Sequence, residues 1–250
     1  MEGGIVAGIS RAYKRRNNMV ANTGAPVLCL DAGSRISYPG SGTTWTDLSG
    51  NSNTGTLTNG PTFDSANGGS IVFDGSNDYA QTTAYLFAEQ KFTISFWCKV
   101  NAFDGYTGGV VSNSVYSIYG PTGSYQGYTN TFSSVIQVSS GSNAIGTITQ
   151  SSFSAGVWFH YCSVYDGTQT GNSNRLQLYL NGQIKTLVYD LTVPSTPYNS
   201  GLQARIGFGY APSGYPYFNG SISNVSYYSR ALSAAEISQN FNLLRGRYGI

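Results

Sequence analysis

The sequence predicts an all-β fold, a two-sheet antiparallel sandwich closed by one short C-terminal helix. Composition is the first reason. Charged residues are only 10% of the 250, while Tyr reaches 20 and Gly 32. Helical proteins draw more on Glu, Lys, Ala and Leu, whereas Tyr, Thr, Ser, Gly and β-branched residues suit strands joined by tight turns. The second reason is the run Phe92–Val100. Phe92, Ile94, Phe96, Cys98 and Val100 fall on one face, and Thr93, Ser95, Trp97 and Lys99 on the other. A period of two marks a strand with one face toward a core. Third, about a dozen short strand-like runs follow one another without the intervening helices that parallel βαβ units need.

Residues 1–24 read as a separate arm. Arg11, Lys14, Arg15 and Arg16 put four of the 13 basic residues in the first sixteen positions. From Asn17 onward nine basic and ten acidic residues remain, Glu2 being the one acid before it. Such a near-neutral body offers no footprint for specific nucleic-acid binding. The apolar patch around Ile5 and Ile9 precedes the basic residues, the reverse of an export signal. No run approaches the roughly 20 apolar residues of a membrane span. The arm therefore reads as a docking segment or a solvated tail, joined to the body through Asn22-Thr23-Gly24-Ala25-Pro26.

Within the body, strands are expected at Val27–Asp31, Ser70–Phe73, Phe92–Val100, Gly109–Ser112, Val115–Tyr119, Ser134–Ser139, Ala144–Thr149 and Trp158–Tyr165. Leu176–Leu180 and Gln183–Lys185 flank Asn181-Gly182, the strongest short hairpin signal. Gln203–Phe208 and Gly220–Tyr228 complete the set, with Gly207-Phe208-Gly209 reading as a loop. Ser233-Ala234-Ala235-Glu236 is a capping box opening a helix along Ile237, Phe241 and Leu244. Gly246 is its expected stop and one end of the sandwich its expected seat. Cys29, Cys98 and Cys162 are odd in number and lack metal-type spacing, which argues against a disulfide framework or a zinc site. Cys98 and Cys162 read as small core residues, although one pair could still bridge.

Several segments, in order, resemble the laminin-G-like jelly rolls of the concanavalin A-like lectin/glucanase superfamily. They are Asp47–Leu57, Gly69–Tyr79, Phe92–Val100, Trp158–His160 with Tyr165-Asp166-Gly167, Leu178–Gly182, and Phe218–Ile222 with Tyr228–Ser233. The resemblance covers roughly residues 27–245 and implies one jelly-roll domain at 25–250. Leu30–Trp45 is similar to domains of tailed-phage structural proteins. That implies a virion location, with other virion proteins as partners and an exterior decoration, neck or tail role.

The glucanase branch needs two carboxylates flanking a sugar bond. The chain has only Glu2, Glu89 and Glu236 as glutamates, and none pairs with another acid at strand spacing. His160 is the sole histidine and reads as structural, so no catalytic residues are assigned and the protein is expected not to be an enzyme. No cofactor is expected, with calcium the one open candidate. Some relatives hold it near the turn matched here by Asp74, Asn77 and Asp78, but Ser223 and Asn224 stand where relatives often carry acids. Tyr198, Tyr210, Tyr215 and Tyr217 lie in Gly/Pro-rich segments, and Tyr106, Tyr125 and Tyr128 in another. Exposed Tyr suits contact with host-surface glycans, but aromatics are also enriched at subunit contacts, and contact with virion subunits or further copies of this chain is the preferred expectation.

Overall fold

The computed structural model describes residues 24–101, 109–113, 116–122, 131–139, 142–148, 154–198, 201–209 and 217–250. Its strands begin with β1 (Leu28–Asp31), β2 (Thr44–Trp45), β3 (Gly55–Thr58), β4 (Thr62–Asp64), β5 (Ser70–Asp74) and β6 (Tyr79–Thr82). Then come β7 (Lys91–Val100), β8 (Gly109–Ser112), β9 (Tyr116–Thr122), β10 (Thr131–Ser139), β11 (Ser142–Ile148) and β12 (Trp158–Asp166). A single turn of helix, α1 (Asn172–Arg175), leads into β13 (Leu176–Leu180), β14 (Gln183–Lys185) and β15 (Val188–Tyr189). The chain ends with β16 (Arg205–Ile206), β17 (Asn219–Tyr228), helix α2 (Ala234–Leu244) and a 3-10 turn at Arg245–Tyr248. Among the described residues, no helix is long and apolar enough to cross a membrane.

The strands form two antiparallel sheets. The first has eight strands in the order β14-β13-β12-β7-β17-β5-β4, with β1 also paired to β17. The second has nine, in the order β15-β11-β10-β9-β8-β16-β6-β3-β2. Inward side chains of both meet in one dry interior that includes Phe92, Ile94, Phe96, Cys98, Phe132, Tyr161, Tyr165 and Ile206. Phe96 stacks on Tyr161 at 4.9 Å and Phe92 on Tyr165 at 5.0 Å. Removing such rings from water stabilises the sandwich by roughly 2 kcal/mol each.

The alternation of β7 correctly picks its core face, yet its other face is buried as well. The cover is α2. It does not sit at one end of the sandwich, as expected, but lies across the outer face of the first sheet. There Ile237 packs with Cys162, Val164 and Tyr179. Phe241 and Tyr248 pack with Trp97 and Trp158. Trp97 stacks on Tyr248, at 4.1 Å, and on Phe241, at 5.6 Å. An outer face carrying two tryptophans would otherwise be a large exposed apolar patch, and this is the physical reason for the helix's position.

The capping box forms as expected, with Ser233 N–H donating to Glu236 Oε2 at 2.9 Å and Ser233 Oγ accepting from Glu236 N–H. Arg230 grips the same carboxylate through both terminal nitrogens, at 3.1 and 2.7 Å. Those bonds, led by Arg230, hold the Glu236 pKa down at about 2. The α-helix ends at Leu244 with Arg245 as its C-cap, next to the expected stop at Gly246, and a separate 3-10 turn follows. Gly246 lies inside the 3-10 turn, and the left-handed residue that ends it is Gly249, φ 73°. The hairpin at Asn181-Gly182 is as expected, both residues having positive φ (50° and 75°) between β13 and β14. All three cysteines are buried free thiols, Cys98 in the inter-sheet core and Cys162 beneath α2.

The 3-10 turn is fastened by Arg247. Its guanidinium donates to Asp31 Oδ1 (2.7 Å), Asn67 O (2.7 Å), Gly69 O (2.8 Å) and Ser223 Oγ (2.6 Å). Ser223 sits where the β17–β7 register slips, between Ile222 and Asn224. The slip places its hydroxyl between Gly69 O, to which it donates, and Arg247.

Candidate functional site

The outer face of the second sheet is built differently. Across β3, β6, β16 and β8 the register aligns Thr56, Gln81, Arg205 and Ser112 in one row. The adjacent row, Leu57, Ala80, Ile206 and Val111, is buried in the core. With a period of two, the first row must therefore point away from the core. It is polar with one cation at its centre, and among the described residues no helix lies over it.

Gln81, Ser112, Asn113, Leu202, Gln203, Arg205 and Phe208 line a recess of about 220 Å³ at this place. Arg205 is held on three sides. Its Nε donates to Gln81 Oε1 at 2.8 Å. Its guanidinium carbon lies 5.2 Å from the centre of the Tyr79 ring and 4.8 Å from that of Phe208. Both distances are within cation–π range. Phe208 is itself braced edge-on by Tyr217, 5.4 Å away.

The chain can turn here because position 207 is Gly. Its φ is +77°, and a Cβ there would stand 2.5 Å from the Phe73 ring. Gly207 N–H donates to Val110 O, and Phe208 then bridges to Tyr217 outside the named strands. Ser112 Oγ donates to Phe208 O at 2.6 Å, and Asn113 Nδ2 to Leu86 O at 2.7 Å, so the floor is fixed from below.

Of the four tyrosines singled out, Tyr217 reaches this site, half-buried against Phe208. Tyr198 is exposed and does not line the recess. Tyr210 and Tyr215, like Tyr106, Tyr125 and Tyr128, lie outside the described residues, as do Ile5, Ile9, Arg11, Lys14, Arg15 and Arg16. Sequence reasoning missed Arg205, Gln81 and Ser112, which come from three strands far apart in the chain.

The Asp74–Asp78 turn is ordered by its own backbone. Asp74 Oδ1 accepts from Ser76 N–H at 2.8 Å, and Asp78 Oδ2 from Asp74 N–H at 3.1 Å. Burial leads the upward shift of the Asp78 pKa. The residue opposite Asp74 on β17 is Asn219, not an acid. Ser223 and Asn224 are engaged with Gly69 O and Leu30 O. No three His, Cys, Asp or Glu residues cluster among those described. This donor set does not fit a calcium ion, which is held by six to eight oxygens with carboxylates prominent.

Among the described residues His160 pairs with Ser95, Nε2 to Oγ at 2.7 Å. Both are buried, and Trp97 and Phe241 pack against the imidazole at 5.2 and 5.9 Å. Among the described residues Nδ1 has no partner, and no acid orients the ring as a hydrolytic triad requires. Desolvation lowers its pKa to about 3, which keeps it neutral. Glu89 accepts from the Tyr227 hydroxyl at 2.6 Å, and Glu236 serves the helix cap.

Comparison with known proteins agrees with the two-sheet fold. A laminin-G-type family model described as the concanavalin A-like lectin/glucanases superfamily matches residues 74–238. No curated protein matches the sequence. Domain 4 of AbnA, a GH43 extracellular arabinanase from Geobacillus stearothermophilus solved with arabinotriose, is similar at TM-score 0.63 and 17% identity, over 87% of this chain and 98% of that domain. The binding domain of botulinum neurotoxin DC, solved with rat synaptotagmin II, gives 0.64 and 16% over 88% of this chain. The receptor binding domain of botulinum neurotoxin type G gives 0.59 and 15% over 87%. This chain spans about half of each toxin domain, 52% and 51%. At these identities the likeness is one of fold.

Proposed function

The chain belongs to the concanavalin A-like lectin/glucanases superfamily, and from that premise we propose that it is a non-catalytic glycan-binding jelly roll displayed on a tailed-phage particle. The observation that carries the binding reading is the recess around Arg205, over which no helix lies among the described residues. It is concave, and an apolar wall at Leu202 stands beside amide, hydroxyl and guanidinium groups. Domain 4 of the arabinanase, of similar fold, was solved with a trisaccharide.

The non-catalytic reading is supported by the carboxylates, each described one being engaged structurally. Asp47 accepts from Cys29 N–H, Asp166 from Lys91 and Thr168, and Asp190 from Ile145 N–H. The virion setting is supported by the resemblance of Leu30–Trp45. In that setting residues 1–24 dock the domain on a neighbouring virion protein. An immobilised glycan panel tests the binding reading: hits that weaken in Gln81→Ala support it, and a panel without hits overturns it. Deleting residues 1–24 should abolish incorporation into particles while leaving glycan binding intact, and normal incorporation would refute the docking role.

A further inference from the structure

We propose that the recess reads the carboxylate of an acidic sugar, a sialic or uronic acid, through Arg205. This deepens the glycan-binding reading and rests on it. The three paired cations among the described residues, Lys91, Arg230 and Arg247, each have a carboxylate within 3.1 Å. Arg205 has none among those residues. Its Nε is occupied by Gln81, and its two terminal nitrogens carry four N–H groups with no acceptor among the described residues.

The side chain is nevertheless immobilised, by Gln81 at its edge and by the Tyr79 and Phe208 rings. A long side chain usually loses rotamer freedom when it binds a ligand, and here the fold has already restricted it. What remains is a planar fork of N–H donors at a recess. Its geometry matches the two oxygens of a carboxylate, in which two parallel charge-assisted bonds form at once.

Two neighbouring features favour an acid over a neutral sugar. Neutral sugars gain much of their affinity by stacking on open aromatic faces, but at this site Tyr79 and Phe208 pack against the guanidinium. Gln81 is also committed, its Nε2 donating to Thr82 O and Ala204 O. The charged fork is therefore the dominant free polar group among the described residues, while the exposed Leu202 is placed to meet the sugar's C–H face.

The test is titration calorimetry of the full chain with 3′-sialyllactose and trigalacturonate, each beside its carboxyl-reduced form, and with 3′-sulfolactose. At least one acid should bind, and reducing its carboxyl should weaken binding about tenfold to a hundredfold, the range for hydrogen bonds to a charged group. Arg205→Gln should give the same loss with the native ligand. Arg205→Lys, which keeps charge without the fork, should fall between. Equal binding of acid and reduced forms would overturn the carboxylate inference and leave the glycan reading standing. Equal binding of 3′-sulfolactose would overturn selectivity for a carboxylate. No binding by any of the five, together with an empty glycan panel, would overturn both readings. The ligand series needs no variant, so a misfolded substitution cannot obscure it.

Discussion

The two sheets turn opposite outer faces to the world. On the first, β7 and β12 present Trp97, Trp158 and Cys162 outward, and the C-terminal segment seals them. On the second, the corresponding row is Thr56, Gln81, Arg205 and Ser112, with a recess beside it. Both follow from the same alternation of side chains along a strand. The difference lies in what the outward positions carry. Apolar rings require a cover, so that face is committed to stability, whereas a polar row can remain open to a ligand.

The comparison breaks most severely if the cover is removed. Deleting Ala234–Ile250 exposes Trp97 and Trp158 and removes the Arg247 anchor. The expected loss rivals the whole stability of a domain, about 5–15 kcal/mol, so denaturant melts should lose their cooperative transition. The next effect is Arg247→Met. It strands Asp31 in a largely buried site, with side-chain exposures of 12% and 9%, and should cost about 3 kcal/mol by urea denaturation.

A smaller effect is acid lability of the sealed face. The folded His160 pKa is about 3, below its ordinary value near 6.5, so only the unfolded chain takes up the proton between those values. Stability is therefore complete above about pH 6.5 and falls as pH drops, by about 2 kcal/mol at pH 5. His160→Gln should flatten that slope. Glu236, held at about 2, adds its own loss only below the ordinary carboxylate range, and comparison with His160→Gln separates the histidine from Asp78, whose raised pKa acts in the opposite direction. On the open face, Arg205→Gln should alter stability by less than about 1 kcal/mol, as half-exposed surface substitutions do. The smallest expected effect is that of calcium: millimolar additions should leave the melting temperature unchanged, because the Asp74–Asp78 turn bonds to its own amides.

The contrast between the faces also explains what the sequence disclosed. Sandwich, hairpin and capping box were legible because each is written within about ten residues: the alternation of Phe92–Val100, the positive φ of Asn181-Gly182, the Ser233–Glu236 pair. The position of α2 was not, since Trp97 gives no local sign that Phe241 will stack on it. The recess was hidden for the same reason. Gln81, Ser112 and Arg205 become neighbours only through strand register. The visible hint was Gly207-Phe208-Gly209, a turn placing an aromatic ring three residues after Arg205. Tyrosine counting reached only its border, at Tyr217.

The most direct measurement is a map of backbone amide shifts on titration with the tightest-binding oligosaccharide. Perturbations should gather at Gln81, Ser112, Asn113, Leu202 and Arg205, leaving Trp97, His160 and α2 unmoved. Shifts centred on the α2 face instead, or at the sandwich rim away from β16, would contradict the assignment of binding to the second sheet.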